Sequence, residues 1–234
     1  MKLALGILGG MGPQATLDFQ QKILDLTFAN CDQEHMRVFV DNHPQIPDRI
    51  EAVLGNNLSL VPAMQESLDK LIAMGAACIA MPCVGAHCFL GQLNVPEHIV
   101  FANLAQIIAI ACAQCFKGLK VGILASAATA HSKLLNPYFE RYTVGYLYPA
   151  KRDQHTLNRL IYSVKAKGDL MLLAGELRVV ARNMVADGAN CFILACTELP
   201  IIAQAMPLPY PYLDATQELA KEVISLCGYS VTGG

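Results

Sequence analysis

Eight short apolar runs rich in β-branched residues recur along the chain, and most of the stretches between them carry helical spacing instead. The runs are "LALGIL" (3–8), "MRVFVD" (36–41), "ACIAMP" (77–82), "IVFA" (99–102), "KVGILA" (120–125), "TVGYLY" (143–148), "CFILA" (191–195) and "YPYLD" (210–214). In "SLDKLIAMG", Leu68, Leu71, Ile72 and Met74 form a stripe that stops at Gly75. In "LRVVARNMVADG", Leu177, Val180, Ala181, Met184 and Val185 do the same before Gly188, where a glycine suits the left-handed turn that ends a helix. A chain that leaves a strand and returns through a helix re-enters in the same direction, so the alternation predicts parallel strands. Their near-continuous apolar character predicts a sheet covered by helices on both faces. The fold class is α/β.

The pattern is doubled. "ALGILGG" (4–10) resembles "KVGILAS" (120–126), and "GAACIAMPCVGAH" (75–87) shares its plan with "GANCFILACTELP" (188–200). Cys83 and Cys196 each fall eight residues after the glycine that opens the repeat. Two tandem copies predict two pseudo-symmetric, Rossmann-like parallel-sheet domains, 1–103 and 104–212, with 213–234 returning to complete the first. Parallel sheets bind ligands beyond the carboxyl ends of their strands, so the expected site is a cleft between the copies, reached by both cysteines.

The 234 residues are 54% hydrophobic and 15% charged, enough to bury a sizeable core. A formal net charge of -2 gives no attraction for nucleic acid or an acidic membrane surface. The longest apolar runs, such as "LAQIIAIACA" (104–113), fall short of the roughly 20 residues that span a bilayer. The opening "MKLALGILGG" lacks a small-x-small cleavage pattern and reads as the first strand of a cytoplasmic protein. Nine cysteines, an odd number set mostly in apolar runs, read as free thiols. Cys31, Cys78, Cys88, Cys191 and Cys227 read as small buried hydrophobes. Cys112 and Cys115 make a CxxC inside an apolar helix with no second pair, a poor zinc signal.

A cysteine just past a strand and at a helix start meets free N–H groups and a dipole that favour its thiolate. Two such cysteines suit a base that removes a proton from one face of a carbon and an acid that returns one to the other, which inverts a stereocentre. Deprotonation beside a carboxylate needs donors for the growing enediolate, and the amides of Val84, Gly85, Thr197 and Glu198 are candidates. His87 is a candidate to orient the Cys83 thiolate or simply to pack its helix. Glu198 either polarises a neighbour or complements a helix N-terminus.

"GILGGMGPQAT" (6–16), "NHPQIPDR" (42–49), "MPCVGAH" (81–87), "IYSVKAKG" (161–168) and "LACTELP" (194–200) together resemble the signatures of the aspartate/glutamate racemase family, in the right order over nearly the whole chain. The likeness is closest to the aspartate racemase branch. It implies racemisation of an acidic amino acid without pyridoxal phosphate, other cofactor or metal, by two cysteines, usually in a homodimer. It implies Cys83 and Cys196 as the catalytic pair. It implies substrate contacts at Met11, Arg49, Ser126, Thr129, Lys165 and Thr197, with Lys167 as an alternative to Lys165. The family usually carries Asn-Thr after the first cysteine; here Val84 and Gly85 stand there, and Ala127 and Ala128 stand where a hydroxyl and a glycine are common.

Three other readings of the residues stay open, one of them a catalytically silent homologue that only binds an acidic metabolite. Related folds use such cysteines to isomerise or decarboxylate small diacids. "GMGPQA" (10–15) also fits a dinucleotide fingerprint, with Asp41 ending the next strand. That Asp lies farther on than the usual ~20 residues, and the fingerprint leaves the cysteines without a role.

Overall fold

The computed structural model describes residues 2–232. The chain divides into two compact units, one formed by residues up to Leu104 together with those from Thr216 onward, the other by Ala105–Ala215.

In the first unit the order is β1 (Leu5–Gly9), α1 (Pro13–Leu26), β2 (Val38–Asn42), α2 (Arg49–Leu54), α3 (Val61–Ala73), β3 (Cys78–Ala80), a 3₁₀ helix over Val84–Gln92 and β4 (Val100–Phe101). The second unit continues with α4 (Leu104–Cys115), β5 (Lys120–Ala125), α5 (Ala127–Ser132), α6 (Asn136–Arg141), β6 (Gly145–Leu147), α7 (Lys151–Lys165), α8 (Leu170–Ala186), β7 (Cys191–Ala195), α9 (Leu199–Ala205) and β8 (Tyr212–Asp214). Helix α10 (Ala215–Leu226) then crosses to the first unit.

Each unit holds one four-stranded, all-parallel sheet, ordered β2-β1-β3-β4 and β6-β5-β7-β8. The orders are the same once four is added to each number, so the duplication read from the sequence is a duplication of topology. In both sheets the first strand lies in the middle and the chain steps left, then right. The switch point therefore falls between β1 and β3, and between β5 and β7, where parallel sheets open a crevice at their carboxyl ends.

All eight expected strands form, and β5 and β7 begin and end where the apolar runs do. β8 had been expected to return with the tail. Its Phe192↔Tyr212 and Leu194↔Asp214 pairings keep it in the second sheet, so the crossing comes after Ala215 rather than at residue 213. The tail beyond α10 is tied to the first unit by the Phe28 amide bonding to the Ser230 carbonyl and by a Thr27↔Val231 bridge.

Helices α3 and α8 end alike. Gly75 and Gly188 take φ of +98° and +100°, and the following amides, of Ala76 and Ala189, reach back to the Leu71 and Met184 carbonyls. Only glycine enters that left-handed conformation without steric cost, which is why this residue punctuates both repeats. Leu68, Leu71, Leu177, Val180, Ala181 and Met184 are buried as their spacing predicts; Met74 is exposed because it lies at the helix end, past the last turn that faces the sheet.

Leu8, Leu60, Met64, Leu68, Leu71 and Ile79 fill the core of the first unit on the α3 face of its sheet. Leu124, Leu157, Leu160, Leu177, Val180 and Phe192 do so for α7 and α8 in the second. Each wholly buried leucine contributes about 1.5–3 kcal/mol by leaving water. These faces fix where the loops at the carboxyl ends must emerge.

Candidate active site

In the first unit the chain leaves β1 through Gly10, Met11 and Gly12. Gly10 has φ of +89°, and a Cβ there would lie 2.3 Å from the His43 carbonyl carbon, so only glycine lets the β1 and β2 loops touch. The buried Thr16 hydroxyl accepts the Gly10 amide at 2.9 Å and donates to the Gly12 carbonyl at 2.9 Å. The loop is thereby clamped, and Met11 is held in the same buried cluster as Cys83, Ile46 and Ala86.

The geometry gives the dinucleotide reading of this loop no support. Its first glycine serves to pack the loop against the His43 backbone. Asp41 Oδ2 is buried without a hydrogen-bond partner instead of presented to a ribose.

Cys83 is the cap residue of the 3₁₀ helix and its side chain makes no capping bond. The first amide bonded back is that of Ala86, to the Cys83 carbonyl at 3.2 Å, so the amides of Val84 and Gly85 precede the helical ladder. The helix expected after Cys83 takes the 3₁₀ form, whose tighter winding keeps the two leading amides while aligning its dipoles less well. Val84 is buried, and with Gly85 it offers no side-chain amide or hydroxyl next to Cys83, as the departure from the family pattern foretold.

His87 stays neutral and does not orient the sulfur. Its Nδ1 lies 2.9 Å from the Cys83 carbonyl oxygen and its Nε2 accepts the Leu104 amide at 3.2 Å. Burial pushes its pKa below the ordinary 6.5, against the opposing pull of the Cys83 and Ala102 backbone. Its work is to fix the backbone that carries Cys83.

Arg49 opens α2, which Asp48 caps by accepting the Ile50 and Glu51 amides. The arginine is only 9% exposed. Its guanidinium donates to the carbonyls of Ile46 and Pro47 at 3.3 and 3.1 Å, and among the described residues no carboxylate pairs with it. A buried cation without a counter-charge is costly unless an anion joins it.

In the second unit, Ala125 and Ala195 are register partners on adjacent strands, so Ser126 and Cys196 emerge side by side, about 5 Å apart in backbone terms. Ser126 caps α5 without a side-chain bond, its hydroxyl 3.5 Å from that of the buried Thr129. The loop is held from α7: Asn158 Oδ1 accepts the Ala127 amide at 2.9 Å and Gln154 donates to the Ala125 carbonyl at 2.9 Å.

Cys196 opens a turn closed by the Leu199 amide bonding to the Cys196 carbonyl at 3.0 Å. Helix α9 starts only at Leu199, later than expected, and the amides of Thr197 and Glu198 have no part in that bond. Glu198 is buried and does not cap α9 with its side chain. Instead its Oε2 accepts from the Cys196 thiol and from the Thr197 hydroxyl, each at 3.2 Å. The carboxylate thus sits where it can receive or return the thiol proton, and the Thr197 hydroxyl is directed at it.

The structure brings Met11, Arg49, Cys83, Val84, Gly85 and His87 to the carboxyl edge of the first sheet. It brings Ser126, Thr129, Cys196, Thr197 and Glu198 to the same edge of the second. Lys165 is not gathered there: it ends α7 in an exposed position, its ammonium 5.0 Å from the Tyr162 ring centroid, about two turns beyond Asn158. Lys167, exposed with φ of +60°, belongs to the following turn. The sequence reading missed Thr16, Gln154 and Asn158, which position loops; only Thr16 had a signal, as the last residue of "GMGPQAT".

The remaining cysteines divide by environment. Burial pushes Cys191 up to about 11. A hydrogen bond to Cys227 and then burial push Cys78 up as well, so both stay thiols. Cys31 is exposed and Cys88 only half-buried, contrary to the expectation that they fill the core. Cys112 is buried and Cys115 exposed on the same helix.

The Asp/Glu/hydantoin racemase model matches residues 8–223. The chain belongs to the Asp/Glu/hydantoin racemase family. Picrophilus torridus aspartate racemase shares its fold with a TM-score of 0.86 at 30% identity, covering 99% of this racemase and 96% of that one. An aspartate racemase homologue from Pyrococcus horikoshii superposes with a TM-score of 0.73 over 97% of this chain and 99% of that chain, at 19% identity, a likeness of fold alone. A broad-specificity amino-acid racemase of Bacillus subtilis is 24% identical over 232 residues, 94% of this racemase and 96% of its own length. Among the described residues no helix of the racemase is long and apolar enough to cross a membrane.

Proposed function

We propose that this enzyme racemises a free acidic amino acid, aspartate or glutamate, without pyridoxal phosphate, by a two-base mechanism in which Cys83 and Cys196 act on opposite faces of the α-carbon. One observation carries the reading: the two cysteines follow the third strand of each of two topologically identical sheets, beside each switch point.

In one direction the Cys196 sulfur, its proton passed to Glu198, removes the α-proton, and the Cys83 thiol protonates the other face; the return direction exchanges the roles. The negative charge that grows on the α-carboxylate is met by the leading amides of Val84 and Gly85. Arg49, a buried guanidinium without a carboxylate partner, takes the side-chain carboxylate of the substrate. Because Val84 and Gly85 offer no side-chain donors, substrate binding leans on backbone groups and Arg49. The same feature keeps a second reading in view, cysteine-dependent isomerisation or decarboxylation of a small diacid. A mechanism that needs reduced thiols fits the cytoplasm. The exposed Leu17 and Leu24 of α1 fit a homodimer surface, with a dimer mass in light scattering as its check.

Cys83→Ser and Cys196→Ser test the mechanism separately. Each is expected to lower kcat for racemisation by at least about a thousandfold with the fold intact. Full turnover by either variant contradicts two-base catalysis.

A further inference from the structure

The second unit holds a cavity of about 430 Å³ that no step of the proposed chemistry enters, although Gln154 and Asn158, which hold the Ser126 loop, help line it. Lys133, Asn136, Tyr148, Lys151, Gln154, His155 and Asn158 supply its polar wall, Gln154 with a buried Oε1 that has no hydrogen-bond partner, and no carboxylate is among the described residues lining it. These residues come from the ends of α5 and β6 and the starts of α6 and α7. The cavity therefore opens on the β6 side of β5, whereas Cys196, Thr197 and Glu198 follow β7 on the other side.

Both lysines occupy positions that local preference disfavours. Lys133 ends α5 with φ of +54°, a left-handed conformation that suits glycine and is disfavoured for a residue with a side chain. Lys151 is the first residue of the 15-residue α7, where a cation opposes the helix dipole. No side chain caps α7, and its first backbone bond is made by the Gln154 amide to the Ala150 carbonyl, so the amides of Lys151, Arg152 and Asp153 precede the ladder. The one acid of that turn, Asp153, is buried and accepts from Asn183 Nδ2 at 3.0 Å. Tyr148 donates to Asn136 Oδ1 at 2.9 Å, which leaves the Asn136 amide nitrogen as a donor.

Two unfavourably sited cations, an uncapped helix end, an imidazole and an amide donor converge on one hollow. We propose that this cavity binds a small phosphomonoester. The phosphate would lie between the Lys133 and Lys151 ammonium groups at the start of α7, and its organic part against Tyr148 and Pro149. The volume lies within the range of small-molecule sites and exceeds the need of a bare inorganic ion.

Calorimetric titration of the full chain with glycerol 3-phosphate, inorganic phosphate and malate tests the proposal. Glycerol 3-phosphate is expected to bind saturably, with Kd of about 1 mM or below, more tightly than inorganic phosphate. Lys133→Ala combined with Lys151→Ala is expected to weaken it at least tenfold. Lys133→Gly, which relieves the left-handed strain, is expected to weaken binding while leaving the thermal midpoint equal or higher, separating loss of the site from loss of fold. Amide resonances of Lys151, Arg152 and Asp153 should move on titration. Absence of saturable binding up to about 10 mM overturns the proposal. So does equal affinity in the double variant, or malate binding as tightly as glycerol 3-phosphate.

Discussion

Glu198 is the residue whose role the structure narrows most. Of the two roles open to it, polarising a neighbour or complementing the helix dipole, the geometry favours the first, since its Oε2 faces the Cys196 sulfur and the Thr197 hydroxyl. Glu198→Gln keeps the shape but cannot take a proton. It is expected to lower kcat by about a hundredfold in the direction that uses Cys196 as base, with a smaller loss in the other; equal losses would mean that the carboxylate only orients the turn. The proposal gives Arg49 a different kind of role, that of binding. Arg49→Ala is expected to raise KM far more than it lowers kcat, and Arg49→Lys to recover part of the loss because charge returns without the fork of donors. Both roles stood among the expectations from the chain, Arg49 through the resemblance and Glu198 as one of two alternatives, but their partners did not. The sequence shows an acid and an arginine in the right motifs, but which partner each side chain meets depends on neighbours brought together by folding.

At the scale of elements, the Cys83 segment depends on His87, whose two nitrogens join the 3₁₀ helix to the start of α4. Because burial lowers the folded-state pKa below 6.5, the unfolded chain binds the proton more readily. Stability contributed by the neutral ring is therefore complete above the unfolded value and is lost as pH falls below about 6.5 toward the lower folded value. His87→Gln is expected to flatten the fall in denaturation midpoint over that acid window; an unchanged pH slope would assign it to other groups. Element positions were the most legible part of the molecule. Apolar runs gave all eight strands, and Gly75 and Gly188 marked two helix ends, because those signals are local. The 3₁₀ winding after Cys83 and the late start of α9 were hidden, since the residues suit either helix and tertiary bonds decide between them. Lys165 entered through the resemblance alone, and a motif match does not report where the end of α7 lies relative to a neighbouring loop.

For the whole molecule, the doubling of the sequence proved to be a doubling of topology, and it assigns Cys83 and Cys196 to equivalent ends of equivalent sheets. The strand that changed hands, β8, shows what a linear reading misses. The last strand of a repeat belongs to the sheet that supplies its hydrogen bonds, whatever follows it in the chain. The central claim is that one cysteine takes a proton from one face of a substrate carbon and the other delivers a solvent-derived proton to the opposite face. Incubation with L- or D-aspartate and glutamate in heavy water, followed by NMR of the α-proton and by polarimetry, tests it most directly. The account predicts loss of optical activity with an acidic amino acid, and early product that carries deuterium while the remaining substrate keeps its protium. Equal early deuteration of substrate and product would contradict the two-base mechanism, and no exchange with either amino acid would contradict the racemisation of an acidic amino acid itself.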